Sequence, residues 1–393
     1  MALGEASMAV DMAGAGPRPA VGICGSYGGL NIGDEAILTS AVAQLREAVP
    51  RVELTAFTRD VAHTRAHHDV EHVIDARAAL RDELVSEVER LDLLLLGGGG
   101  LLYDREAESY LHLPRIAQAV GVKTATFAIG AGPLVHMGER RAVADCLNGM
   151  AAITVRDSRA RRLLEEIGVE REITVTADPA LLLEPEPPPP GALEREGIEP
   201  DRRLVGVSVR EPGAAAEGLE SRVYHALLAN AADFVADRFD ASLLFIPMER
   251  TDMRHAHRVI GEMALPDRAT VLKGTYDPRQ LLSIMGRLDL AVGMRLHFII
   301  FAALAGVPLL GLPYAAKVTS FLERVGLPAP QLIEREYAGA LLAAIDRTWD
   351  SRHEQPRLLR ARMPELLQQA RRTAVMIGEL LPTEVRDAAA RPG

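Results

Sequence analysis

Residues 288–318, LDLAVGMRLHFIIFAALAGVPLLGLPYAAKV, leave this chain few folds to choose from. Residues 288–292 read as a buried strand that breaks at Gly293. Residues 298–305 read as an apolar helix closed by Gly306 and Pro308, and 307–312 as the next strand. An apolar strand, helix and strand in succession form one unit of a parallel sheet covered on both faces. Arg295 and His297 stand at the strand-to-helix turn, with Lys317 beyond the second strand. Ligands of such sheets bind outside the carboxyl ends of the strands, where helix N-termini favour anions. The charge-free run 298–316 is long enough on paper to span a bilayer. Gly306, Pro308, Gly311 and Pro313 cut it, however, and a broken helix in lipid would strand backbone polar groups. A buried α/β core is expected.

The same alternation fills the chain. Strands are expected at 20–24, 52–57, 73–74, 93–96, 124–129 and 152–156, with helices at 36–48, 80–91, 110–120, 139–150 and 158–167. The segment 184–200, EPEPPPPGALEREGIEP, is too rich in proline to continue a helix or a central strand, and reads as a semi-rigid linker. Beyond it come strands at 204–209, 242–247 and 270–273, helices at 224–237, 253–263 and 278–285, and a tail helix at 364–381. The expected fold class is α/β, two Rossmann-like lobes facing a cleft. Residues 1–19 would be a disordered leader, 20–183 the N-terminal lobe, 184–200 the linker and 201–360 the C-terminal lobe. Residues 361–393 would carry a helix packing back on the N-terminal lobe.

A net charge of −10 and the lack of a basic tail argue against a nucleic-acid binder, so an anionic ligand needs a local cationic pocket. Cys24 and Cys146 fit neither a multi-bridge framework nor a zinc spacing, which suggests a reducing compartment. The first 19 residues carry early acids and no apolar core of a secretory signal.

Three constellations stand out. The loop from Gly25 to Asp34 follows a strand and opens a helix, but it is not G-x-G-x-x-G, and Thr58-Arg59 offers no ribose-binding acid. On spacing alone, Asp34 and Glu35 serve the helix dipole as readily as catalysis. The run Gly97–Gly100 lacks the Lys-Ser/Thr of a P-loop, yet four glycines after a buried strand suggest close backbone approach to a ligand or a facing lobe. Arg156, Arg210, Arg295 and Lys317 form the third set, at least three of them at expected strand ends. One arginine alone would be a surface ion pair, whereas several on one sheet edge suit carboxylate and phosphate. His297, two residues from Arg295, becomes a proton-donor candidate. His63, His67, His68 and His72 have helical metal-ligand spacing but lie in a polar connector without acidic or cysteine support, so a metal site is disfavoured.

The segments GSYGGLNIGDEAIL, LLLLGGGGLLYD, IGAGPL, ITVRDS, TADPALLL, VGVSVR, IPMER and GMRLHFIIFAALAGVPLLGLPYAAKVTSFL occur in that order from about residue 20 to 325. Together they resemble the polysaccharide pyruvyl transferase family, especially its cell-wall branch. The resemblance implies a glycosyltransferase-B-like fold and phosphoenolpyruvate as donor. It also implies that Asp34, Arg156, Arg210, Arg295, His297 and Lys317 stand at the family's functional positions. The chain departs from the family pattern at Ala315-Ala316, where Asp-Pro is common before the lysine, and at Glu211-Pro212, where an aromatic is common.

On this basis His297 and Asp34 are the expected catalytic acid and base. Arg156, Arg210, Arg295, Lys317, Gly98, Gly99 and Asn31 are the expected substrate-binding set. No metal and no cofactor are expected. The partners would be phosphoenolpyruvate and a lipid-linked sugar acceptor, and the location the cytoplasm, with peripheral association at the inner face of the membrane. A nucleotide-sugar-dependent glycosyltransferase of the same fold is the competing enzyme, and a carbohydrate-binding scaffold without activity the competing non-enzyme.

Overall fold

Strands such as LLLL at 93–96 have no polar face to offer water, so they must be covered on both sides, and each residue of that run is buried. The computed structural model describes residues 18–29, 31–199, 201–212, 219–330 and 338–381. Most of the expected leader (1–17) and the end of the tail (382–393) lie outside the described residues. One parallel sheet contains β1 (Ala20–Cys24), β2 (Glu53–Thr58), β3 (His72–Asp75), β4 (Leu93–Leu96) and β6 (Lys123–Thr126), ordered β3-β2-β1-β4-β6. A second, smaller parallel sheet joins β5 (Gly99–Leu102), β7 (Ile129–Ala131), β8 (Ile153–Val155) and β9 (Ile173–Val175) in the order β5-β7-β8-β9.

The C-terminal lobe repeats the winding of the first sheet. Strands β10 (Arg203–Ser208), β11 (Ala241–Phe245), β12 (Ala269–Val271), β13 (Leu290–Gly293) and β14 (Leu309–Gly311) lie in the order β12-β11-β10-β13-β14, all parallel. In both lobes the strand order reverses beside the first strand, between β1 and β4 and between β10 and β13. Such switch points are where doubly wound sheets bind ligands. The Gly25 and Gly97 loops leave one of them, and Arg210 and Arg295 follow the other.

Several elements differ from expectation. The run 124–129, expected as one strand, is two, β6 and β7, belonging to different sheets. Ala128, at φ 52°, turns the chain between them. Two of the four loop glycines enter β5, and the polar connector at 61–67 is the helix Val61–His67. Helices Ala316–Arg324 and Ala338–Asp350 were not expected, and the tail helix starts earlier, running Gln355–Gly378 with Pro364 inside it.

One apolar cluster joins the lobes beneath the cleft. It takes Ile37, Ala41 and Leu45 from the helix Ile32–Ala48, Ile299 and Ala303 from the helix Leu296–Leu304, and Leu366 and Ile377 from the helix Gln355–Gly378. Each large apolar side chain buried there contributes roughly 1.5–3 kcal/mol before entropy is charged against it. The last helix is fastened at both lobes. Thr373 Oγ1 meets Thr176 Oγ1 at 2.9 Å, Leu380 O accepts Lys123 Nζ at 2.9 Å, and Gln355 Oε1 accepts the Leu309 amide at 2.9 Å. Within 184–200, the short helix Ala192–Arg195 precedes Glu196. The Glu196 carboxylate is buried and accepts from the amides of Lys273 and Gly274 at 2.8 and 2.7 Å.

Candidate active site

Asn31 caps the helix Ile32–Ala48. Its Oδ1 accepts the amides of Gly33 at 2.9 Å and Asp34 at 3.4 Å, while its Nδ2 donates to Glu249 Oε1 of the other lobe at 2.6 Å. The Ile32 amide donates to Met248 O at 2.9 Å beside it. Asn31 is therefore spent on capping and on joining the lobes. Asp34 follows in the first turn. Burial pushes its carboxyl up, against the opposing pull of His297, the Ser26 hydroxyl and Lys317, and the net direction is upward.

The four loop glycines have different reasons to be there. A methyl group on Gly98 would press on Ile37 at 2.9 Å and the Phe127 carbonyl at 3.0 Å, so Gly98 lets the strand pack under the helix. Gly99 has φ +103°, where side chains are strained, and a methyl on it would lie 3.4 Å from Asp34 Oδ1. Gly100 is the exposed one. Among these, Gly99 adjoins the site and Gly98 serves packing.

Arg295 ends the turn after β13 and is the N-cap residue of the helix Leu296–Leu304. It does not wait empty for an anion. Its Nε donates to Asp252 Oδ2 at 3.0 Å, and its Nη2 to Asp252 Oδ1 at 2.6 Å and Glu249 Oε2 at 2.7 Å, with Glu211 at 3.8 Å. Asp252 is 1% exposed. Burial raises its carboxyl, and the Arg295 fork only partly offsets this. Arg210 pairs with Glu211 and lies over the Tyr314 ring at 4.1 Å, while Lys317 Nζ stands 5.5 Å from the same ring. Burial would raise the Tyr314 phenol, but Lys317 and Arg210 hold it below its ordinary value.

His297 reaches from the C-terminal lobe to Asp178 of the N-terminal lobe, Nε2 to Oδ2 at 3.6 Å. Its Nδ1 lies against Gly33, where an added methyl would overlap the ring. Arg156 is almost wholly buried and donates through Nη1 to the same Asp178 oxygen at 3.0 Å, passing over Gly130. The structure thus brings Asp34, His297, Lys317, Arg210 and Arg295 together across the cleft. It connects Arg156 to them through Asp178. Four members of the constellation carried no assigned role on sequence grounds: Asp178, Glu249, Asp252 and Tyr314. Asp178 stands before Pro179 at a turn start, and Glu249 and Asp252 form the capping box of the helix Arg250–Glu262. Those positions read as ordinary caps unless the facing lobe is known.

A cavity of about 980 Å³ opens beside this cluster, between the helix Ile32–Ala48 and residues 272–281, with Glu249 in its wall. The histidines at 63–72 border it or lie nearby. His68 Nε2 meets Glu35 Oε2 at 2.7 Å, His63 and His67 stack at 4.3 Å, and His72 pairs with Glu53. Among the described residues no group of three or more His, Cys, Asp or Glu is disposed to hold a metal ion.

With this geometry in hand, the sequence pattern of the polysaccharide pyruvyl transferases matches residues 31–315. The chain belongs to the polysaccharide pyruvyl transferase family. The match ends at Ala315, two residues short of Lys317. No curated protein matches this family member significantly. Solved structures share its fold at low identity. A protein from Listeria monocytogenes described as a UDP-N-acetylglucosamine 2-epimerase superposes with a TM-score of 0.63 at 13% identity, covering 92% of this chain and 96% of its own. The UDP-GlcNAc 2-epimerase of Neisseria meningitidis, solved with UDP-GlcNAc, gives 0.59 at 10% identity over 92% and 99%. A glycosyltransferase from Rickettsia africae gives 0.59 at 10% over 92% and 98%. The fold of this pyruvyl transferase family member is that of the glycosyltransferase-B class, two Rossmann-like lobes around a cleft. Among its described residues no helix is long and apolar enough to cross a membrane.

Proposed function

We propose that this family member transfers the pyruvyl group of phosphoenolpyruvate to a sugar of a cell-wall or exopolysaccharide precursor, forming a pyruvate ketal and releasing phosphate. The observation that carries this reading is the packing of His297 of one lobe against Gly33, the residue before Asp34, in the other, with Arg210 and Lys317 flanking Tyr314. The donor bears a phosphate and a carboxylate, and Arg210 and Lys317 clamp them. Arg295, held by Asp252, frames the clamp and meets the donor only by exchanging Glu249 or Glu211 for it. Arg156 supports the floor through Asp178.

His297 gives a proton to the methylene carbon of the donor, which opens C2 to a sugar hydroxyl. Asp34 takes the hydroxyl proton, and the burial that raises its carboxyl makes it a stronger base than an ordinary carboxylate. A second hydroxyl then attacks C2 and closes the ring as the C2–O bond to phosphate breaks, and the departing phosphate carries off that hydroxyl's proton. The scheme assigns no step to a metal or a cofactor. A lipid-linked acceptor would place the protein in the cytoplasm, associated peripherally with the inner face of the membrane. Incubation with phosphoenolpyruvate and a synthetic or lipid-linked amino-sugar acceptor should release phosphate and add an acid-labile pyruvate. Full turnover by a folded His297→Ala variant would remove the acid from the scheme.

The competing reading is a nucleotide-sugar-dependent glycosyltransferase. The shared fold favours it, since solved structures of this fold include a glycosyltransferase and an epimerase solved with UDP-GlcNAc. Thermal-shift titration separates the two. Stabilisation by phosphoenolpyruvate but not by nucleotide sugars supports pyruvyl transfer, and the reverse supports glycosyl transfer.

A further inference from the structure

Asp178 is 4% exposed and lies just past β9. Its Oδ1 accepts the Ala180 amide at 3.1 Å and caps the turn Pro179–Leu182. Capping uses one oxygen. The other, Oδ2, accepts Arg156 Nη1 at 3.0 Å and faces His297 Nε2 at 3.6 Å. His297 Nε2 is enclosed and makes no hydrogen bond of its own, so Asp178 is the acceptor within ion-pair range, a few tenths of an ångström from bonding it. Burial alone would raise the Asp178 carboxyl, but His297 and Arg156 hold it well below the carboxylate range. It is an anion at any pH near neutral.

We propose that Asp178 is a positioning residue for His297, keeping a hydrogen on Nε2 so that the transferable proton sits on Nδ1. The proposal rests on the acid role given to His297 above. A neutral imidazole carries its hydrogen on one nitrogen only, and a carboxylate beside Nε2 selects that tautomer and fixes the ring. In the transfer, the Nδ1–H bond breaks and a C–H bond forms at the methylene carbon. The imidazolium becomes the neutral Nε2–H form, and its positive charge passes to C2 of the donor. The sugar hydroxyl then attacks C2 and loses its proton to Asp34. Asp178 keeps its charge throughout, because Arg156 stabilises the anion. Since Asp178 and His297 come from different lobes, the ring is fixed only while the lobes are together.

Asp178→Asn tests this with the cap intact, because asparagine caps as well as aspartate. With the amide oxygen kept on the Ala180 amide, the NH2 group takes the place of Oδ2, where it faces His297 Nε2, forces the hydrogen to Nδ1 and removes the acceptor of Arg156. At a pH high enough to make the His297 ring neutral, its ¹⁵N chemical shifts should therefore report Nε2–H in the wild-type protein and Nδ1–H in the variant. With phosphoenolpyruvate, kcat should fall on the order of 10²–10⁴-fold while KM stays within about threefold. His297→Ala and the double variant His297→Ala/Asp178→Asn should have the same kcat, which a purely structural role would not produce. An unchanged His297 tautomer in Asp178→Asn, or additive losses in the double variant, would overturn the proposal. If the wild-type protein releases no phosphate from phosphoenolpyruvate, the transfer reading fails, and the ring shifts still decide whether Asp178 sets the tautomer.

Discussion

Asn31 and Glu249 join the two lobes of the protein: the Asn31 amide donates to Glu249 Oε1 at 2.6 Å, while Glu249 Oε2 holds Arg295 at 2.7 Å. The first turn that presents Asp34 is thereby coupled to the cationic cluster opposite. Asn31→Ala removes the helix cap and a hydrogen bond to a charged group, and should cost about 2–4 kcal/mol in urea unfolding. Asn31→Ser, which restores the cap but not the bridge, should recover about 1 kcal/mol of this. Equal losses for both variants would mean that the cap contributes nothing.

Gly33→Ala should separate activity from stability. Gly33 lies inside the helix Ile32–Ala48, where alanine is favoured over glycine by about 1 kcal/mol. The added methyl, however, would overlap the His297 imidazole. Turnover should drop at least tenfold while the urea midpoint changes little. Retained turnover would show that His297 moves aside at no cost to function.

The raised carboxyl of Asp34 makes a pH prediction with a definite sign. A base must be ionised, so kcat/KM should fall as pH drops through a value above the ordinary 3.8, and Asp34→Asn should lose that acid limb along with most activity. The linkage runs the other way. A carboxyl whose folded pKa lies above its unfolded one favours folding below the unfolded pKa, and that contribution is lost as pH rises through the folded one. At neutral pH Asp34→Asn should therefore raise Tm. A lower Tm for this variant at neutral pH would contradict the burial assigned to Asp34.

Arg210→Ala should raise the Kd of phosphoenolpyruvate at least tenfold by calorimetry, about the loss expected for one charge-assisted contact. Arg210→Lys keeps the charge but loses the planar stack on Tyr314, and should fall between the two. Unchanged binding in both would move the anion clamp away from β10.

The winding of the sheets was legible because apolar strands alternate with helices and the breaks carry glycine or proline. The exceptions have local causes. The run 124–129 is apolar enough to pass for one strand, and nothing before Ala128 announces the left-handed residue that sends it to another sheet. The cationic residues were legible as strand-end arginines, but not their partners. Whether Arg295 stands free or is gripped by Asp252 depends on a helix that begins more than forty residues earlier in the chain. Gly98 also packs under a helix and Asn31 also caps one, roles that a glycine run or a cap residue does not reveal in the sequence.

The chain passes between the lobes twice, once in the stretch that holds the helix Ala192–Arg195 and again along the helix Gln355–Gly378, which is pinned to Leu309 at its start and to Thr176 and Lys123 toward and just past its end. The two crossings hold the lobes to one another at two separate places. Any opening of the cleft must therefore break the contacts that span the lobes, from Asn31–Glu249 to Asp178–His297, while both crossings stay in place.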